Sequence, residues 1–380
     1  MSSDVIDLFS GICVIIDESL NEETAVPNNI QKIENSLKEN LIPIIKLSEL
    51  PEDAFLQHLH SVSFIILDWN LTGLNPIPEV AIADNIDFIK KLRNYCYVPI
   101  FIFSDENVHA IIVKLEEEGI NISNNVFVKA KSDLDSSEKL FSEMREWLKT
   151  VPSVYLLKEW ERSVRNAKNE MFWDLSSIHQ AWPNILLKTI KADGADTDSE
   201  LIKLLQNNLM ARLKIPKLNR DIIEKTIDGI SKQDLRIILE KERFLPNLPD
   251  TPFSGDVYKI DKIYYINIRP DCDIIREKKD MYLLKGGIVD ESKINSEEQG
   301  SIIFDSGSFV EKINSCYVAF IENKIIEFKF RNIEIKKWND IKSYRIGRLL
   351  PPYITRIQQK YAFYLQRQAL PALPIQSIIQ

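Results

Sequence analysis

Four apolar runs in the first third of the chain stop on residues that can do chemistry. Ile12–Ile16 is followed by Asp17 and Glu18, Val62–Leu67 by Asp68, Val98–Phe103 by Ser104, and Val126–Val128 by Lys129. Three carboxylates gathered in one cleft repel, and each resists ionising beside the others. A divalent cation resolves the repulsion. Mg²⁺ takes a few carboxylate oxygens while keeping several waters and a place for phosphate. A carboxylate beside such an ion can act as a nucleophile toward phosphorus. The charge on the incoming phosphoryl oxygens is then neutralised by the ion on one side and by the Lys129 ammonium on the other. The Ser104 hydroxyl can bond a phosphoryl oxygen once it is attached.

Such a set works only if the runs are neighbouring strands that end at one edge. The runs Ile12–Ile16, Leu41–Leu47, Val62–Leu67, Val98–Phe103 and Val126–Val128 are nearly continuous apolar stretches with little alternation. Strands buried on both faces read that way, as in parallel sheets covered by helices. Amphipathic segments separate them: Asn28–Glu39, Pro51–His58, Ala83–Asn94, Val108–Glu118 and Ser136–Lys149. Five such β-α units predict a doubly wound, five-stranded parallel α/β sheet with right-handed crossovers. Ligands of open α/β sheets bind beyond the carboxyl ends of the strands, where the acids, the hydroxyl and the lysine fall.

On these residues the stretch 9–150 resembles the receiver domain of bacterial response regulators, which is flavodoxin-like. The resemblance implies that Asp17 and Glu18 are the metal-binding acid pair and Asp68 the phosphoacceptor. It further implies that Asn70 lends a backbone carbonyl to Mg²⁺, that Ser104 is the switch hydroxyl, and that Lys129 is the family's lysine. A histidine kinase or a relay protein would then phosphorylate Asp68. The receiver would catalyse only its own phosphotransfer and dephosphorylation, with no separate enzyme activity expected. The chain departs from the family's pattern in having Ala130 after the lysine, Val126 three residues before it, and a longer loop from Thr72 to Asp84.

The chain has 380 residues, 44% of them hydrophobic, enough for two or three domains. We expect the receiver at 1–150, a mostly helical middle segment at 151–247, and a small antiparallel β-rich domain with a terminal helix at 248–380. Trp160, Val164, Ala167 and Met171 mark the helical period, and Ala192–Asp198 reads as a loop. Val257–Ile268 and Ser315–Phe330 read as hairpins, residues 352–368 as a helix, and Pro371–Gln380 as a Pro-containing tail. No apolar run approaches the roughly 20 residues of a membrane span. The acidic N-terminus lacks a signal-peptide pattern. The four cysteines are scattered, without a CxxC pair. A cytoplasmic, reduced protein is expected.

Net charge is −8 but uneven, since residues 1–150 hold 25 acids against 12 bases and residues 321–380 hold 4 against 11. The basic end, with Tyr353, Tyr361, Phe363 and Tyr364 interleaved, suits either nucleic acid or an amphipathic helix docked on its own domain. We rank the second first, so nucleic acid is not the expected partner. A DNA-binding regulator stays open as an alternative. His58 and His60 lack a third ligand, and Cys272 lacks a histidine partner in residues 180–380. The expected function is a phosphoacceptor that controls or buffers a downstream response through an effector protein. The alternative is a phosphoryl sink or scaffold without its own effector. Homodimerisation is left open. The layout, a receiver joined to an uncharacterised C-terminal module, resembles receiver proteins of phage-defence two-component-like systems, which implies a role in antiviral defence.

Overall fold

The computed structural model describes residues 5–366 apart from 22–25, 123, 193–196, 225–228, 247, 249, 277–279, 290–301, 306–307 and 312–315. Most of the expected Ala192–Asp198 loop and the whole Pro371–Gln380 tail lie outside the described residues. The chain divides into two compact units, residues 1–178 with 206–226, and residues 179–205 with 227–380.

The first unit runs α1 (Val5–Leu8), β1 (Ile12–Ile16), α2 (Asn29–Glu39), β2 (Ile44–Leu47), α3 (Asp53–Leu56), β3 (Val62–Leu67), α4 (Glu79–Leu92), β4 (Ile100–Ser104), α5 (Val108–Glu117), β5 (Val126–Ala130), α6 (Ser137–Leu148) and α7 (Pro152–Ile178). Its five strands are all parallel in the order β2-β1-β3-β4-β5. This is an open α/β sheet of flavodoxin-like order. Alternate strand residues feed two cores. Cys13, Ile15, Phe64, Ile66, Phe101 and Phe103 face α2, α6 and the start of α7. Val14, Ile16, Ile65, Leu67, Ile100 and Ile102 face α3, α4 and α5. Burial on both faces is what the unbroken apolar runs require.

Local signals set the helix starts. Asn28 caps α2 in a reciprocal box with Gln31, and the Asn107 and Ser136 side chains cap α5 and α6. The expected run from Leu41 starts as a strand only at Ile44, because Leu41 takes a left-handed φ of 58° and stands exposed. At the far end β5 continues two residues beyond Val128, pairing Lys129 with Phe103 and Ala130 with Ser104. That extension decides which lysine reaches the sheet edge.

The long α7 belongs to this unit. Val154 and Tyr155 join the first core, and the buried Lys158 ammonium donates to the Ser63 carbonyl at 2.5 Å and to Glu161 at 3.0 Å. Burial lowers the pKa of Lys158.

The second unit holds α8 (Trp182–Ala192) and most of its β structure. α9 (Thr197–Arg212) spans the division, and α10 (Arg220–Ile223) lies in the first unit. The second unit continues with α11 (Lys232–Arg243), β6 (Phe244–Leu245), β7 (Asp256–Ile260), β8 (Ile263–Asn267), α12 (Asp271–Arg276), β9 (Asp280–Ile288), β10 (Ile302–Asp305) and β11 (Ser308–Glu311). It closes with β12 (Cys316–Ile321), β13 (Lys324–Lys337), α13 (Trp338–Ile341), β14 (Arg345–Leu349) and α14 (Tyr353–Leu365). Seven strands form one antiparallel sheet in the order β12-β13-β9-β8-β7-β14-β6. The hairpins β7–β8 and β12–β13 turn on Asp261-Lys262 and Glu322-Asn323, all four with positive φ. Both Glu240 carboxylate oxygens, on α11, accept from the N–H groups of Glu322 and Asn323.

Helix α14 lays Ile354 and Ile357 into the sheet core beside Tyr264, Leu284 and Phe328, with Tyr353, Tyr361 and Tyr364 packed at its margin. Two bases of the basic end are also spent internally. Arg348 donates to Asp256 at 2.6 Å and Arg345 at 3.3 Å, and Asp256 is fully buried. Among the described residues, no helix is long and apolar enough to cross a membrane.

Removing one partner of a buried ion pair leaves uncompensated charge, at a cost of about 3–5 kcal/mol. Asp256→Ala should therefore lower the denaturation midpoint of the second unit by that order, seen as lost hydrogen-exchange protection in β7 and β14. Protection unchanged in those strands would show that the two arginines find solvent or other acceptors.

Candidate functional site at the carboxyl edge of the parallel sheet

β1 and β3 are neighbours and end level, with Ile16 opposite Leu67. The next residue of each is an acid. The Asp17 N–H donates to the Leu47 carbonyl and the Asp68 N–H to the Ile16 carbonyl, each at 2.9 Å. Main-chain bonding thus runs one residue past the strands and holds the two carboxylates side by side. Both are buried, Asp17 at 0% and Asp68 at 4% exposure. Glu18 opens a short 3₁₀ turn to Asn21 and is half-buried. One oxygen from each of Asp17, Glu18 and Asp68 lies within 4.8 Å of the others. Ser104 ends β4 fully buried.

The lysine at this edge is Lys131. It is the first residue past β5, at the head of a 3₁₀ turn to Asp133. Its ammonium donates to Asp17 Oδ2 at 2.7 Å and to Asp68 Oδ2 at 2.8 Å. Lys129, the lysine expected from the sequence, is not brought to the acids. It sits within β5 on the same face as Phe127, 3.1 Å from Glu143 on α6 and 3.8 Å from Asp133. The cause is the two-residue extension of β5: strand alternation turns Lys129 toward α6, and only the residue after the strand clears the sheet edge. The Lys129-Ala130-Lys131 spacing was visible in the sequence, but nothing local said where the strand would stop.

The remaining expected residues are at the edge. Asn70 lies in the loop after β3, where its amide donates to the Leu74 carbonyl at 3.0 Å and to Glu106 at 3.1 Å. Glu106 in turn donates its N–H to Ser104 Oγ at 3.2 Å. Gly73 in the same loop takes φ of 63°, and a Cβ built there would come 3.9 Å from Glu18 Oε1. The long loop thus passes beside the acids. A further residue, Ser19, was not singled out from the sequence. Its N–H and hydroxyl both donate to Asp17 Oδ1, at 2.9 and 2.6 Å.

The charges are unbalanced. Three carboxylates share one ammonium. Burial, then repulsion from Asp68, pushes the Glu18 carboxyl up to about 7. Burial also raises Asp68, against the pull of Lys131. Burial works against the Lys131 charge, but Asp68 and Asp17 hold its pKa above the ordinary lysine value. Asp17 accepts from three donors, two on Oδ1 and one on Oδ2. Among the described residues, two buried carboxylate oxygens, Asp68 Oδ1 and Glu18 Oε2, have no hydrogen-bond partner. A buried anion without a donor is costly, and a cation relieves it. The residues present therefore fit a divalent ion bound by carboxylate oxygens.

No protein-family model matches this chain, and no curated protein does either.

The two lysines should separate cleanly on substitution. In metal-free buffer at neutral pH, Lys131→Ala leaves Asp17 and Asp68 buried and unpaired, costing about 3–5 kcal/mol. The loss should shrink as pH falls, because burial raises the Asp68 carboxyl and its protonation removes one of the charges that Lys131 had offset. Lys129→Ala breaks a partly exposed pair worth about 1 kcal/mol or less. Urea midpoints of the two variants from pH 7 to pH 5 check this, and equal losses would place the structural lysine wrongly.

Proposed function

We propose that the first unit is a phosphoacceptor of the response-regulator receiver kind and that Asp68 is the residue it modifies. The observation that carries the reading is the uncommitted Asp68 Oδ1: it is buried and lacks a partner among the described residues, while the other oxygen of the same carboxylate is held by Lys131. A carboxylate fixed through one oxygen presents the other as a nucleophile.

In the transfer, Asp68 Oδ1 forms a bond to phosphorus as the donor's phosphorus–nitrogen bond breaks. The leaving imidazole of a phosphohistidine kinase or relay keeps the electron pair and takes a proton from solvent. Lys131, already at Asp68 Oδ2, is placed to offset charge on the transferred group. Ser104, at the end of the adjoining strand, offers its O–H to a phosphoryl oxygen while its Oγ goes on accepting from the Glu106 N–H. Mg²⁺, held chiefly by Glu18 and Asp68 with the Asn70 main-chain carbonyl and only weakly by Asp17, whose oxygens already accept from Ser19 and Lys131, would supply the positive charge that lets an anionic donor approach. In this reading the acyl phosphate controls or buffers a downstream response through a partner protein.

With Mg²⁺ and a small phosphodonor or a cognate kinase, the protein should acquire a hydroxylamine-labile phosphoryl group. Asp68→Asn and excess EDTA should each abolish it. Absence of label with every donor, or label that persists in the Asn variant, would overturn the assignment.

A further inference from the structure

Ser19 makes the tightest neutral contact in the acid cluster, and the phosphotransfer reading leaves it without a task. Its hydroxyl lies 2.6 Å and its N–H 2.9 Å from Asp17 Oδ1. The Ser19 carbonyl is itself held by the Asn28 amide at 3.2 Å, from the cap of α2. Asn28, Ser19, Asp17, Lys131 and Asp68 thus form one hydrogen-bonded chain from the start of α2 to the phosphoacceptor.

We propose that Ser19 is a positioning residue that withholds Asp17 Oδ1 from the cation and so keeps divalent-metal binding at this site weak and exchangeable. This rests on the phosphoacceptor reading only for the cation it invokes. Two physical effects point the same way. The two donors hold Oδ1 in place, so Asp17 spends its other oxygen on Lys131 and offers neither freely as a ligand. Donated hydrogen bonds also draw off part of the carboxylate's charge, which lowers the field that attracts a cation. The unpartnered Glu18 Oε2 remains for the ion.

The test is a Mg²⁺ titration of the full chain followed by the fluorescence of Trp69, which directly follows Asp68 and is buried. Ser19→Ala should bind Mg²⁺ about fivefold more tightly, roughly 1 kcal/mol at 1.4 kcal/mol per tenfold. Ser19→Thr, which keeps the hydroxyl, should restore the native affinity. Thermal unfolding without metal checks that both variants are folded. Equal or weaker binding by a folded alanine variant would overturn the role given to Ser19, as would a threonine variant that behaves like alanine. If the unaltered protein gives no Mg²⁺ response, the metal site itself fails, a result distinct from a native response that Ser19→Ala leaves unchanged.

Discussion

One ammonium between two buried carboxylates organises the first unit. Lys131 reaches Asp17 and Asp68 at 2.7 and 2.8 Å with all three residues almost fully buried. Taking such charges out of water costs several kcal/mol per ion, and mutual attraction offsets it only when the geometry is good. That geometry comes from the sheet. The acids follow two adjacent parallel strands in level register, and the lysine follows a third strand two places away in the order. Antiparallel strands would send alternate ends to opposite edges, and the cluster could not form.

The second unit offers a useful contrast. Asp256 is as buried as Asp17, yet both of its oxygens accept from arginine, Oδ1 from Arg348 and Oδ2 from Arg345, with the Phe253 N–H also on Oδ2. One acid with two cations and no orphaned oxygen is a closed structural device. At the parallel sheet edge the ratio is reversed, and among the described residues two buried carboxylate oxygens are left without donors. Folding alone does not reward that arrangement. Unsatisfied buried anions can be completed by a ligand, and the Asp17, Glu18 and Asp68 cluster could hold a metal ion.

Much of the scaffold was legible in the sequence because buried parallel strands leave unbroken apolar runs. β3 coincides with its run from Val62 to Leu67, and the Asn28, Asn107 and Ser136 caps announce their helices. The two hairpins of the second unit were legible through their period of two. The seven-strand order was not: β14 inserts between β7 and β6, and β9 joins β13 to β8, pairings made between residues far apart in the chain. The basic, aromatic end was ambiguous for the same reason. Whether Tyr361 and Arg348 face solvent or their own sheet depends on Phe330 for the first and on Asp256, 92 residues upstream, for the second.

By itself the amino-acid order determined that three acids and a hydroxyl would stand at strand ends, since chain polarity and hydrophobic runs place them there. It did not determine which lysine would join them. Lys129 and Lys131 differ by one strand repeat, and the choice turns on how far β5 stays paired with β4. Nor could it reveal that Ser19 would turn back onto Asp17, or that Asp68 would keep one oxygen free. Those outcomes depend on distances of a few ångströms between segments separated by up to 114 residues, and only the packed tertiary structure sets them.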